Sequence, residues 1–263
     1  MSSGARQAEK GIPHALARFG FFARGIVYAV VGGLAARVAI LQRGRTLGPA
    51  NALAKILGGW NGRLALWIVA AGLLAFVLFR AVQCARTRSR LARIGYAVGG
   101  LGSLFLAVAA VRVLLHFHAG GDAETLRGAA ARLVSYAWGR AALELGGGIA
   151  GVVGVLEASR AAVGILPADF AAAIMARGRK KWTAALGRVG VLAHGAVVAV
   201  TGYSVYRAGL EGNPRGLSGT GAALRTIKHA ESGPALFALV AAGLIAYGLS
   251  LLVLSSHRLK RSR

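Results

Sequence analysis

One ten-residue phrase occurs three times in this chain and constrains its fold more than any other feature. Each copy reads Leu, a small residue, Arg, an apolar residue and Gly, with a second Gly five residues after the first: LARFGFFARG, LARIGYAVGG and LGRVGVLAHG. A further arginine follows the first by nineteen residues in every copy, as Arg37 follows Arg18. On a helix this separation spans roughly 28 Å, close to the thickness of a bilayer's hydrocarbon core. The pattern predicts three membrane-spanning units.

The composition also indicates a membrane protein. The chain is 56% apolar and only 15% charged, whereas about a quarter of the residues in a soluble domain are charged. Its 39 glycines suit membrane helices, in which small residues let two backbones approach closely. The single cysteine, Cys84, excludes an internal disulfide framework and a cysteine-based metal site. We expect neither a cofactor nor a metal.

The net charge of +24 would suggest nucleic acid as the partner of a soluble protein. Here the arginines lie mostly between apolar runs, where phospholipid phosphates are the nearer anions. No basic helix with interleaved aromatic residues is present in the sequence. We therefore expect anionic lipid headgroups, and not nucleic acid, as partners.

Six apolar runs are long enough, or nearly so, to cross a bilayer as helices. The runs are Phe19–Leu41, Leu64–Val82, Ile94–Leu115, Ala141–Ala162, Val189–Tyr206 and Pro234–Leu254.

The fourth run is the weakest because it carries two carboxylates and many glycines. Arg140 precedes Glu144 by four residues, and Arg160 follows Glu157 by three, so each pair shares a helix face. Two interpretations stay open. The pairs form local ion pairs near the two interfaces, or a buried carboxylate binds a cation or a proton.

These spans predict an all-α integral membrane protein made of three parallel two-helix repeats in a pseudo-threefold bundle. A short amphipathic segment with a basic residue precedes the second span of each unit and is typical of a helix lying in the interface. The predicted segments are a cytoplasmic tail at 1–13, repeat 1 at 14–85, repeat 2 at 86–163, a basic cytoplasmic linker at 164–185, repeat 3 at 186–257 and a basic tail at 258–263.

The distribution of basic residues predicts the orientation. The side that carries both termini and the linkers 83–93 and 163–188 holds more Lys and Arg than the opposite side. The positive-inside rule therefore places both termini in the cytoplasm, and the segments 42–62, 117–139 and 208–233 outside. The first 18 residues lack an apolar core, so we expect no signal peptide.

The repeated phrase, the Val27-Tyr28 that follows its first copy and the three two-span units resemble the bacterial domain-of-unknown-function 1206 family. The resemblance runs from about His14 to Arg258. The first copy matches best. The second copy has Ser103 at the position of Tyr28 and Ala107 at that of Gly32. The third copy has Val198 at the first of these positions and keeps a glycine, Gly202, at the second. The resemblance implies a multi-pass membrane protein of the bacterial inner membrane, and it implies no activity.

No catalytic motif stands out. The sequence contains no phosphate-binding glycine loop, no HExxH and no CxxC. His116 and His118 are two residues apart, so they would not face each other on a helix, and only the distant Asp122 offers a third ligand. We expect that the protein is not an enzyme.

One column of the repeat contains candidate ligand-binding residues. The residue before the second glycine of the phrase is Arg24, Gly99 or His194. If helical, Arg24 and His194 lie about 9 Å inside the membrane, where ionisable groups tend to face a bundle interior or a water path. The alternative is that Arg24 extends its side chain to the interface.

Three arginines near the outer ends of the first spans, Arg37, Arg112 and Arg207, form a second candidate set. We expect each side chain to extend separately to lipid phosphate. The alternative is that all three converge on one anion.

The shared positions of the phrase have a structural interpretation, because glycines permit close helix crossings. These repeat residues are Arg18, Gly20, Gly25, Arg93, Gly95, Gly100, Arg188, Gly190 and Gly195. The sequence favours a non-catalytic membrane scaffold or lipid-associated protein. The alternative is a transporter or channel, which requires polar groups that converge near mid-membrane. An intramembrane enzyme is a third possibility, for which no set of catalytic groups is evident.

Overall fold

The computed structural model describes residues 3–41, 62–116, 122–166, 181–213 and 233–256. This part of the chain is helical and contains no strand. Its helices are α1 Ser3–Leu41, α2 Gly62–Arg86, α3 Arg90–His116, α4 Asp122–Val134, α5 Gly139–Ala162, α6 Lys181–Glu211 and α7 Gly233–Ser256.

Six of these helices, all except α4, are long and apolar enough to cross a membrane, as predicted. The fourth predicted span is one of them, since α5 is a continuous helix through its glycines. The candidate spans are Leu16–Ile40, Leu64–Arg86, Ala92–Val111, Gly139–Ala162, Ala184–Glu211 and Ala235–Ser256. The chain is therefore a multi-pass membrane protein, and the part of it that the structure describes is helical.

Two helices extend into segments that lie outside the predicted repeats. Helix α1 begins at Ser3, within the predicted tail 1–13, because the helix formers Ala, Arg, Gln, Glu and Lys continue the span outward. Helix α6 begins at Lys181, within the predicted linker 164–185. The first part of the amphipathic segment of the second unit, 129–134, lies in α4, whose Ala130 packs near Leu143 of α5. The corresponding segments of the other two units lie outside the described residues.

The long helices pack side by side in the order α3, α2, α1, α7, α6 and α5. Helix α5 meets α3 again at only a few positions. The interior between them is filled by large apolar side chains with at most 2% exposure, among them Phe21, Phe76, Leu244 and Leu251. Packing of this kind holds helices together in lipid, where apolar burial alone favours no contact between helices.

Glycines bring two helix pairs into backbone contact in the same way. A Cβ atom on Gly248 of α7 would lie under 3.0 Å from Ala29 of α1, and one on Gly154 of α5 would lie equally close to Ala199 of α6. Both sites therefore require glycine. The α1–α7 and α6–α5 crossings are equivalent, so Gly154 occupies in α5 the place that Gly248 occupies in α7.

Candidate functional site

Two residues of the predicted column meet inside the bundle. Arg24 of α1 is 6% exposed and His194 of α6 is 4% exposed. The Nη2 atom of Arg24 lies 3.1 Å from Nε2 of His194. The helices place both residues on their inner faces, so the Arg24 guanidinium lies in the interior and does not reach the interface.

A carboxylate from a third helix completes this contact. Glu157 of α5 places Oε2 3.3 Å from Nδ1 of His194, and its side chain is 27% exposed. The structure thus pairs Glu157 with a residue of another helix and leaves Arg160 exposed, so the partner of Glu157 is His194 and not Arg160. The Tyr28 hydroxyl lies 3.2 Å from Nε2 of the same imidazole.

The hydrogen bonds determine which nitrogen of His194 carries the proton. A guanidinium group can only donate, so Nε2 of His194 accepts from Arg24. The ring proton then lies on Nδ1, which donates to the Glu157 carboxylate. A neutral imidazole in this tautomer bridges a cation and an anion that do not need to touch.

Aromatic rings surround the Arg24 and His194 side chains. Tyr247 stacks on the His194 ring, with ring centroids 4.3 Å apart and planes inclined by 17°. The Arg24 guanidinium carbon lies 5.1 Å from the Phe76 ring centroid and 5.5 Å from that of Tyr28. Negatively charged ring faces attract cations at these distances and replace part of the lost hydration. We call Arg24, Tyr28, Glu157, His194 and Tyr247 the central cluster.

A second arginine lies at the edge of the central cluster. Arg80 of α2 donates from Nη1 to Gln83 Oε1 over 2.8 Å. Its guanidinium carbon lies 4.8 Å from the Phe76 ring centroid and 5.2 Å from that of Tyr96. Both guanidinium groups, of Arg24 and of Arg80, therefore lie close to the Phe76 ring.

Sequence reasoning missed that Arg80 and Glu157 occupy one repeat column. GLLAF from Gly72 and GLIAY from Gly243 align Arg80 with Leu251. In the second unit the matching sequence, GGIAG from Gly147, is looser and would place Gly147 opposite Gly243. The glycine crossings, in which Gly154 takes the place of Gly248, instead place Ile149 there. With that two-residue correction, Glu157 aligns with Leu251 and Arg80. Aligning Gly154 with Gly248, the equivalent glycines of the two crossings, would have revealed this shared column.

The repeated arginines of the phrase cap helix ends. Arg18 donates from Nε to the Ser255 carbonyl of α7 over 3.0 Å. Arg188 donates to the carbonyls of Ala161 and Ala162 of α5 over 3.2 and 2.8 Å. Arg93 donates to the Thr87 carbonyl, just beyond α2, over 3.1 Å. A cation at a helix C-terminus satisfies free carbonyls and complements the helix dipole.

Most glycines of the phrase permit close helix contacts. A Cβ on Gly20 or Gly190 would collide with Phe76 or Tyr247. Gly25 and Gly195 form the α1–α7 and α6–α5 crossings. In the second copy, a Cβ placed on Gly100 would lie 3.4 Å from the Arg80 Cβ, and one on Gly95 would face open space.

Arg37 and Arg207 are not part of the central cluster. The side chains of Arg37 and Arg207 are exposed. Arg207 forms an ion pair with Glu211 one turn later on α6. The side chain of Arg112 lies outside the described residues, as do those of His116 and His118. Among the described residues, no group of three His, Cys, Asp or Glu side chains could hold a metal ion.

Helix composition and interior geometry define a multi-pass α-helical membrane protein with a buried charged cluster. The family model for the domain of unknown function 1206 matches residues 19–87 and 189–255, and the chain belongs to this family. The two matched segments are consistent with a repeated domain and correspond to the first and third predicted units. No curated protein and no solved structure matches the chain.

Proposed function

We propose that this protein is a non-catalytic scaffold that associates with anionic lipids in a bacterial inner membrane. The observation that carries the proposal is the hydrogen-bonded chain from Arg24 through His194 to Glu157. Its three members come from three different predicted units. These hydrogen bonds therefore hold the three units in one register, a role attested for buried polar groups in other helical assemblies.

The arrangement of this scaffold is a pseudo-threefold bundle. In support, the first helix of one unit packs on the second helix of another in the pairs α1–α7, α6–α5 and α3–α2. The first two pairs use equivalent glycine crossings. Arg18, Arg188 and Arg93 each cap the end region of the partner helix in their own pair.

The hydrogen bonding inside the bundle supports a scaffold over an open pathway. His194 uses both ring nitrogens within the central cluster, and the Glu157 carboxylate accepts from one of them. Tyr28, Phe76 and Tyr247 close the space around Arg24. A bundle that is packed in this way offers lipid its outer faces, on which the arginines at the helix ends meet anionic headgroups.

A reconstitution experiment tests the proposal. The purified protein and its Glu157→Gln variant are placed in liposomes that contain a pH-sensitive dye, and an imposed proton gradient is followed with time. We expect the proton flux with either protein to match that of protein-free liposomes. Glu157→Gln should unfold at a lower temperature than the wild-type protein in detergent, because it weakens the hydrogen bond to His194. A flux through the wild-type protein that Glu157→Gln abolishes would contradict the scaffold.

That contradicting result would favour the second candidate, a proton or ion transporter. The observation that favours it is the location of Arg24, Glu157 and His194 within candidate membrane spans, since ionisable groups inside a membrane often mark ion pathways. In this case Glu157 would be the exchanging group because its side chain is the most exposed of the three. Ser103, buried on α3, and Thr201 on α6 would be the next polar groups along the interior.

A further inference from the structure

The middle unit lacks a helix contact that the other two units have. Gly72 of α2 packs on Ala23 of α1, and Gly243 of α7 packs on Ala193 of α6. The corresponding helices of the middle unit, α3 and α5, touch at only a few positions. Cβ atoms placed on Gly102 of α3 or Gly146 of α5 would meet no atom within 4 Å.

Side-chain size explains this separation. The phrase aligns Val98 with Ala23 and Ala193, and the glycine crossings align Ile149 with Gly243. Two branched side chains therefore stand where the other units bring an alanine against a glycine. Close approach of two helices in a membrane depends on small residues at the contact, so α3 and α5 stay apart.

The separation leaves an apolar groove. On α5, Ile149, Val152 and Leu156 are 45%, 60% and 40% exposed. The aligned residues of α7 are buried, with Ala246 at 6% and Ser250 at 7% exposure. We define the α3–α5 groove by Ile94, Gly95 and Gly102 on α3 together with Gly146, Ile149, Val152 and Leu156 on α5.

Basic side chains lie at one end of the α3–α5 groove. Arg160 follows Leu156 by one helical turn on the same face of α5 and is exposed. Arg90 and Arg93 lie in the first turn of α3, at the same end of the bundle, and are also exposed. The nearest carboxylate on α5, Glu157, is already hydrogen-bonded to His194.

We propose that the α3–α5 groove binds one anionic phospholipid, with an acyl chain along the apolar residues and its phosphate at Arg160. This inference rests on the proposed lipid association and names its site and ligand. An apolar groove that ends in arginines matches an acyl chain that ends in a phosphate. A guanidinium group binds phosphate oxygens through two parallel hydrogen bonds, which favours an anionic headgroup over a zwitterionic one.

Native mass spectrometry of the full-length protein in detergent tests this site. Phosphatidylglycerol or phosphatidylcholine is added in increasing amounts, and the bound fraction of each is measured. We expect one phosphatidylglycerol molecule to bind in preference to phosphatidylcholine. Arg160→Gln should weaken phosphatidylglycerol binding about fivefold, since one arginine near an anionic surface contributes about that factor. Arg86→Gln, which removes an exposed arginine at the end of α2, should leave the preference unchanged.

A second variant tests the apolar part of the groove. Gly146→Leu should fill it and abolish binding of both lipids, whereas Gly33→Leu, at another position with no neighbour within 4 Å, should not. Unchanged unfolding temperatures in detergent would show that both variants remain folded.

Several results would overturn the site. These are equal binding of the two lipids, an equal effect of Arg86→Gln, binding that survives Gly146→Leu, and a dimer that Gly146→Leu converts to monomer. The last result would show a second copy of the chain in the groove. Displacement of the lipid by millimolar inorganic phosphate would also contradict it, because it would show a headgroup site without acyl-chain binding. These readouts are independent of the flux measurement, so a lost lipid site and a lost scaffold function are distinguishable.

Discussion

The contact between Arg24 and His194 predicts a measurable coupling free energy. Replacing His194 by Phe keeps a ring against Tyr247 but removes the partner of both Arg24 and Glu157. Removing one member of a buried charged network costs about 3–5 kcal/mol, and we expect the lower end because Glu157 is 27% exposed. Replacing Arg24 by Met removes its hydrogen bond to His194, which is worth about 1.5 kcal/mol because the donor is charged, together with its contacts to the Phe76 and Tyr28 rings.

The double variant tests whether these costs belong to one interaction. Once Arg24 is gone, His194→Phe no longer leaves a cation without its hydrogen bond. The double variant should therefore cost about 1.5 kcal/mol less than the sum of the two single variants. Equilibrium unfolding by sodium dodecyl sulfate in mixed micelles measures each free energy of unfolding.

The Arg207–Glu211 pair is the matched control for this cycle. Both of its side chains are largely exposed and lie one turn apart on α6. Their coupling, measured with Arg207→Gln and Glu211→Gln, should be about 0.5 kcal/mol or less. Additivity of Arg24→Met and His194→Phe within about 0.5 kcal/mol would refute the assigned contact.

Three further predictions concern packing, capping and topology. Gly154→Leu should lower the free energy of unfolding by about 1–3 kcal/mol because its side chain collides with the α6 backbone, whereas Gly33→Leu should be neutral. Arg188→Gln should lower the free energy of unfolding in detergent by about 1 kcal/mol, because it removes the hydrogen bonds to the Ala161 and Ala162 carbonyls. Arg86→Gln should leave that free energy unchanged. In a Cys84→Ser background, a cysteine replacing Ser218 should react with an impermeant maleimide in intact cells, and one replacing Ser89 should not; the reverse pattern would contradict cytoplasmic termini.

The spans could be predicted from sequence because each requires only length and hydrophobicity. The apolar runs of the first and fifth spans lie within α1 and α6, and the candidate spans extend beyond the predicted runs at several ends. Helix α1 extends still farther, since its residues from Ser3 to Ala15 are helical and lie outside the candidate span Leu16–Ile40. An apolar window cannot detect them, because helical hydrogen bonding continues past the membrane core.

The central cluster could be predicted only in part. Arg24 and His194 share a column of the repeated phrase, which marks both as unusual residues in a span. Their partner Glu157 could not be assigned, because Arg160 lies three residues away on the same helix and offers a local partner. The cross-helix pairing depends on the register of α5 against α6, and backbone contact at Gly154 and Gly195 fixes that register in three dimensions.

The opening in the middle unit also depends on pairs of distant residues. Val98 and Ile149 are ordinary residues for membrane helices, and neither indicates a groove by itself. Their effect becomes visible only when each is compared with its equivalent in the other units, where Ala193 meets Gly243.

Solid-state ¹⁵N NMR of the histidine-labelled protein in lipid bilayers tests the bridging role of His194 most directly. The His194 signals are assigned by their loss in the His194→Phe variant. We predict a neutral imidazole that carries its proton on Nδ1, with Nε2 unprotonated and facing Arg24. A cationic ring, or a proton on Nε2, would contradict the chain from Arg24 through His194 to Glu157.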